Sequence, residues 1–160
     1  MDFRLILTLL LLPAIGSCQT QKAVYDIESP YKGFVVVNDI ELYEEDKVDW
    51  FVPTIDEIRE AEGILKDQIE SLNKDEINQD GSCPVVHKSL RKYTRQYIGY
   101  VTSEGSKVIF INLFWSKNLK ALESMKYEYR LMLDGCSYFW RVKVDLNKKS
   151  LFDLDINGSA

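Results

Sequence analysis

The sequence predicts an α+β fold: one long N-terminal helix packed on an antiparallel meander sheet of four to five strands, in the order β-α-β-β-β-β. Three observations carry this expectation. Ile55, Ile58, Ala61, Leu65, Ile69 and Leu72 recur at steps of three and four, which lays one apolar stripe along a helix. Beyond residue 93 the chain turns to segments rich in β-branched and aromatic residues. Turn formers punctuate those segments at Ser103-Glu104-Gly105-Ser106, Asp134-Gly135 and Asn147-Lys148-Lys149-Ser150.

The first element is a targeting segment. Leu5 to Ile15 has the length of a secretory apolar region, roughly 7–15 residues, and falls short of the about 20 that a spanning helix needs. Arg4 supplies one positive charge ahead of it and Asp2 cancels that charge. Pro13 and the small residues after it suit the extended stretch that a signal peptidase grips. Two cuts compete. Type II processing leaves Cys18 as a lipid-modified N-terminus, because Ile15-Gly16-Ser17-Cys18 resembles the bacterial lipobox. Type I processing near Gly16 or Cys18 gives a secreted, soluble protein. The expected layout is a signal peptide over 1–17, lipidation at Cys18, a polar tether over 18–30 and a single domain over 31–160. The expected location is the periplasm or outer membrane, with the membrane engaged through the N-terminal lipid.

The three cysteines are Cys18, Cys83 and Cys136. With Cys18 acylated, two remain in an oxidising compartment, where disulfides persist. A Cys83–Cys136 bridge would leave no free thiol; two buried, unpaired cysteines are the alternative. No second cysteine or histidine lies at metal-ligand spacing from either, so no metal is expected.

Within the domain, Phe34 to Tyr43 reads as a first strand with Val36, Ile40 and Leu42 on one face. Glu44-Glu45-Asp46-Lys47 is a solvated acidic turn. Thr54 and Glu57 form a capping-box pattern that starts the helix over 54–73, whose opposite face carries Glu60, Lys66, Asp67 and Glu70. A polar loop from Asn73 to Ser82 closes at Cys83-Pro84, and Val85 to Lys92 is a short helix or irregular turn. Tyr93 to Thr102 and Lys107 to Trp115 form a hairpin, followed by a linker with some helical character over Lys117 to Ser124. Lys126 to Leu133 and Tyr138 to Leu146 flank Asp134-Gly135 as a second hairpin. In the latter strand Trp140, Val142, Val144 and Leu146 face one way, and Arg141, Lys143 and Asp145 the other. Leu151 to Ile156 follows, with Asp153 and Asp155 placed to pair with Lys143 or Arg141. This order resembles the cystatin-like arrangement of a helix gripped by a curved antiparallel sheet.

Four local signatures resemble a family of small uncharacterised exported bacterial proteins, often lipoproteins. They are Arg95-Gln96-Tyr97-Ile98-Gly99-Tyr100, Gly105-Ser106-Lys107-Val108-Ile109-Phe110-Ile111-Asn112, Asp134-Gly135-Cys136-Ser137-Tyr138-Phe139 and Asp153-Leu154-Asp155-Ile156-Asn157-Gly158. The resemblance covers roughly residues 50–160 and implies a fold and a location, with no activity. Ser137 departs from the family's direct Cys-Tyr step. Cystatins insert a Gln-x-Val-x-Gly loop into protease clefts; here the corresponding loop is Ser103-Glu104-Gly105-Ser106, so inhibition has no motif behind it.

Composition and motifs exclude more than they assign. A formal charge of −5 argues against nucleic-acid binding, which needs a basic footprint. His87 is the only histidine, and Ser89, two residues on, points elsewhere in a helix or loop. Neither Gly-x-Ser-x-Gly nor His-Glu-x-x-His occurs, and no catalytic residue, metal or cofactor is expected. The acidic residues Glu41, Glu44, Glu45, Asp46 and Asp49 lack calcium-loop spacing and read as a solvated loop. The run from His87 to Arg95 carries Lys88, Arg91, Lys92 and Arg95, four permanent cations suited to anionic lipid headgroups, a polyanionic glycan or an acidic partner. A solvated turn balancing the acidic loop is the plain alternative. Aromatic residues, Trp115 and Trp140 among them, outnumber what one helix can cover. The sheet's outer face is therefore either an open binding surface or the seat of a second packing layer. The expected surface is Lys88, Arg91, Lys92, Arg95, Trp115 and Trp140, on a non-enzymatic envelope protein that binds an unidentified protein or ligand. A structural accessory subunit of an outer-membrane complex is the alternative, and a small hydrolase using His87 a third.

Overall fold

The computed structural model describes residues 25–27, 31–36, 44, 46–115, 129 and 131–158. The signal peptide, Cys18 and most of the tether lie outside the described residues, as do Ile40, Leu42 and the linker at 117–124. Among the described residues, seven strands form one mixed sheet with a helix on one face. The strands are β1 (Tyr25–Ile27), β2 (Gly33–Val35), β3 (Lys47–Phe51), β4 (Thr94–Thr102), β5 (Lys107–Phe114), β6 (Phe139–Asp145) and β7 (Ser150–Ile156). The helices are α1 (Ile55–Leu72) and the short α2 (Val86–Ser89), the latter running into a 3-10 turn at Leu90–Lys92.

Helix α1 forms for local reasons. Thr54 Oγ1 accepts the Glu57 backbone N–H at 3.2 Å, and Glu57 Oε2 accepts the Thr54 N–H at 2.8 Å, so the capping box is complete. Ile58, Ala61, Leu65 and Ile69 are buried against the sheet, while Ile55 and Leu72 at the stripe's ends are exposed. Their partners include Tyr97 from β4, Ile109, Ile111 and Leu113 from β5, and Trp140, Val142 and Val144 from β6. The alternation expected over Trp140 to Leu146 thus points its apolar side into this core.

Strands β4 to β7 run as a four-stranded antiparallel meander. Its membership differs from the expected one. Residues 131–133 are not strand, and β5 pairs directly with β6. Gly135 adopts φ +92° and opens a 3-10 turn at Cys136–Tyr138 rather than a strand hairpin. The first hairpin holds, with Gly105 at φ +82°. Arg141 pairs with Asp155, and Lys143 with Asp153 at 2.6 Å.

Two further expectations are corrected. The sheet is not antiparallel throughout, because β2 lies parallel to β4 over Gly33↔Arg95 to Val35↔Tyr97. Nor is the helix N-terminal in order, since three strands precede it. Strand β3 pairs antiparallel with the other half of β4, from Lys47↔Thr102 to Phe51↔Gly99. Two short strands thus share one β4 edge end to end. The tether also contributes to the sheet, as Tyr25–Ile27 pairs antiparallel with β2.

The sheet's second face is not an open aromatic platform. Ile98, Tyr100, Val108 and Phe110 are buried there with Val36, and Tyr129 packs edge-on against Phe110. Among the described residues outside the strands, Val36 and Tyr129 pack on this face.

Candidate functional site: a cationic pocket beside helix α1

The polar ledger leads away from the sheet's outer face to a cleft between α1 and the Val86–Lys92 segment. Its volume is about 710 Å³, within the roughly 300–1,000 Å³ of small-ligand sites. Arg59, Glu62, Gly63 and Lys66 supply one wall. Their spacing of three, four and seven from Arg59 puts all four on one side of the helix. The other wall is the continuous run His87 to Lys92, and Tyr31 and Trp115 complete the lining.

Among the described residues, the lining carries five permanent cations, Arg59, Lys66, Lys88, Arg91 and Lys92, against one carboxylate, Glu62. Arg59 is paired with Asp56 at 2.8 Å and Lys88 with Glu76 at 3.4 Å. Among the described residues, Lys66, Arg91 and Lys92 have no carboxylate partner. A strongly positive cleft on a chain of net charge −5 concentrates anions locally.

Glu62 belongs to a buried polar cluster under the cleft. It is 4% exposed, and its Oε1 accepts from Arg95 Nε at 3.0 Å and from Tyr97 Oη at 2.8 Å. Arg95 is 0% exposed; its Nη1 donates to the Tyr93 carbonyl, and its guanidinium lies 3.8 Å over the Tyr31 ring. Burial pushes the Tyr97 hydroxyl well above the usual tyrosine range and the Glu62 charge adds to it, so Tyr97 stays protonated and donates. Two atoms in this cluster are buried without a hydrogen-bond partner, Glu62 Oε2 and Arg95 Nη2. Such groups are costly and call for an explanation.

Four of the six expected surface residues meet here: Lys88, Arg91, Lys92 and Trp115. The other two are corrected. Arg95 shares the β4 phase of Tyr97 and points under α1, and Trp140, 1% exposed, packs edge-on against Tyr93 in the core. Sequence reasoning missed Arg59, Lys66 and Glu62. The available signal was a carboxylate at position 62, inside the apolar stripe of Ile58, Ala61, Leu65 and Ile69. Gly63 is an exposed glycine inside a helix, and nothing lies within 4 Å of where its Cβ would be.

The pocket's second wall is fixed from below. The Cys83–Cys136 disulfide is formed, and Ser137 Oγ donates to the Pro84 carbonyl at 2.6 Å. Tyr93 Oη donates to the Ser137 carbonyl at 2.7 Å, and Trp115 packs edge-on against both Tyr93 and Tyr138. His87 is held by Asn73, whose Nδ2 lies 3.0 Å from His87 Nδ1; Asn73 in turn exchanges two hydrogen bonds with Gln79. No hydrogen bond joins His87 to Ser89 among the described residues. No cluster of three or more metal-ligating side chains occurs among them either.

No family model matches the chain, and no curated protein or solved structure does.

Proposed function

We propose that this chain is an exported, lipid-anchored, non-enzymatic binding protein of the bacterial envelope, and that it holds an anionic ligand in the cleft between α1 and Val86–Lys92. The observation that carries the binding role is the convergence of five permanent cations on one pocket of an otherwise acidic chain. The lipobox-like Ile15-Gly16-Ser17-Cys18 and the disulfide, which suits an oxidising compartment, support export.

Two experiments test this. Palmitate labelling in cells should be lost in Cys18→Ser; labelling that persists refutes the anchor. Binding of a polyanion by the purified protein should weaken steeply with salt, because the pocket's cations are solvent-accessible. Salt-independent binding, or none, refutes the pocket's role.

A second reading, an accessory subunit of an outer-membrane complex, is favoured by Leu131-Met132-Leu133, three consecutive apolar side chains left exposed. Co-purification of a stoichiometric partner that is lost on Leu131→Ser/Leu133→Ser would support it.

A further inference from the structure

We infer that the β3 edge of the sheet, with Val48, Trp50, Val52 and Ile55, is the surface that rests on the lipid bilayer to which Cys18 is anchored. The inference rests on the proposed anchor and adds which side of the domain meets the membrane.

Large apolar side chains are normally scattered over a protein surface, and a contiguous exposed run of them marks a contact. Here four fall within residues 48–55: Val48 is 63% exposed, Ile55 51%, Val52 45% and Trp50 38%. Lys47 Nζ lies 4.4 Å over the Trp50 ring. A tryptophan with aliphatic neighbours and a long cation suits a membrane–water boundary, where the ring sits among the headgroups and the ammonium reaches water.

The topology brings this edge to the anchored end of the chain. Strands β2 and β3 share the β4 edge, and β1 lies one strand outside β2. Tyr25 stands opposite Val35, which stands opposite Tyr97, and Trp50 stands opposite Tyr100. Because β1 runs antiparallel to β2, its first residue points along the outer side of β3. Three residue steps and one strand spacing separate Tyr25 from Trp50, about 11 Å. Cys18 precedes Tyr25 by seven positions, at most about 25 Å of extended chain. A lipid on Cys18 thus ties the β3 side of the domain, rather than the far β7 edge, to the bilayer.

Occupants that pair through their backbone fit this edge poorly. The Trp50 N–H donates to Asp49 Oδ1 at 2.8 Å, and the register with β4 shifts between Lys47 and Asp49. Both features hinder strand addition by a second copy or another protein, whereas lipid requires no hydrogen-bond ladder. Asp46 and Asp49 flank Lys47, so the contact is apolar and favours no anionic lipid.

The test uses the full-length protein, purified from cells in detergent, with its acylation read from the intact mass. It is reconstituted in phosphatidylcholine vesicles with and without acyl chains brominated near the headgroup. Bromine quenches tryptophan at contact distance, and the other tryptophans lie away from β3, Trp140 in the core and Trp115 in the cleft wall. The expected result is quenching in the wild type, its loss in Trp50→Tyr, and no change in it between low and high salt. Val52→Glu/Ile55→Glu should also weaken it. Both side chains are half exposed, and an acid at the first position of α1 suits the helix dipole, so this variant keeps the fold.

No quenching in the acylated wild type, or quenching that persists in Trp50→Tyr, overturns the inference. So does quenching abolished by salt, which would put the cationic cleft on the membrane. Unquenched protein that elutes as a dimer, and as a monomer in Trp50→Ser, assigns the edge to a second copy instead. An unacylated mass refutes the anchor: Trp50 quenching would then still support the surface, and its absence would overturn both.

Discussion

Glu62 and Arg95 form an ion pair across the helix–sheet boundary, with side chains 4% and 0% exposed and Arg95 Nε 3.0 Å from Glu62 Oε1. A buried pair of this kind is held less by its own strength than by the cost of breaking it. Removing one partner strands an uncompensated charge and costs about 3–5 kcal/mol, whereas replacing both with apolar groups of similar size is often neutral. Arg95→Met should therefore lower unfolding free energy in urea by about 3 kcal/mol or more. Glu62→Leu/Arg95→Met should regain most of that loss. A double variant as unstable as the single one would show that the polar cluster, and with it the floor of the cleft, is needed for folding rather than for a ligand.

The Cys83–Cys136 bridge closes a long loop, its ends separated by 53 positions in sequence, that contains α2, β4 and β5. Cys83→Ser should cost about 2–4 kcal/mol. Because Cys83 lies just before the segment that forms the cationic wall, the variant should also lose anion affinity at temperatures well below its melting point. Identical melting of the wild type with and without reductant would contradict the bridge's contribution.

The start of α1 should be sensitive to acid. Burial alone would raise the Glu57 carboxyl, but the Lys107 ammonium, 2.7 Å from Oε1, and the Thr54 backbone and hydroxyl outweigh it and hold the carboxyl below its ordinary value. A folded-state value below the unfolded one means the stabilisation is fully present above the unfolded value near 4.5 and is lost as pH falls through the folded value. Glu57→Gln keeps the acceptor for the Thr54 cap, but it removes the charge and replaces the Oε1 that accepts from Lys107 with an amide NH₂. It should cost on the order of 0.5–1 kcal/mol at pH 7, a modest figure because Lys107 is half exposed. The gap between variant and wild type should narrow as pH falls below 4.5 and through the lower folded-state value. A gap that is constant with pH would mean the charge contributes nothing.

What was legible in the sequence was local. The capping box at Thr54 and Glu57, the stripe Ile58 to Ile69 and the alternation of β6 each depend on residues within one or two turns. The cationic wall was legible because Lys88, Arg91 and Lys92 are contiguous. Pairing between strands joined by a short turn was legible, as in β4–β5 and β6–β7, whereas pairing across long stretches of chain was not. Strand β3, Lys-Val-Asp-Trp-Phe, alternates Val48 and Trp50 with Lys47 and Asp49, but it is short, mostly exposed and adjoins acidic residues that read as a turn. The parallel contact of β2 with β4 joins segments about 60 residues apart, which no local pattern encodes. Arg95 was misplaced because charge was weighed above strand phase: it alternates with Gln96 and shares the side of Tyr97. Trp140 shares the phase of Val142 and Val144, so its alternation already assigned it to the core.

The missed strand β3 supplies the last test. Phe51 pairs with Gly99, and a Cβ at Gly99 would lie 2.6 Å from the Phe51 carbonyl oxygen and 2.9 Å from two of its ring carbons. A ring can rotate away, but a backbone oxygen in a paired strand moves only if the strand moves. Gly99→Ala should therefore push β3 off the β4 edge at a cost of about 1–3 kcal/mol, the range for overpacking a filled site. It should also speed amide exchange over residues 99–102, whose pairing with β3 is then lost. Phe51→Ala removes the ring contacts and leaves the carbonyl in place, so Phe51→Ala/Gly99→Ala should not recover the stability lost in Gly99→Ala. Full recovery in the double variant would locate the conflict in the ring alone and show that β3 can shift along β4 without losing its pairing.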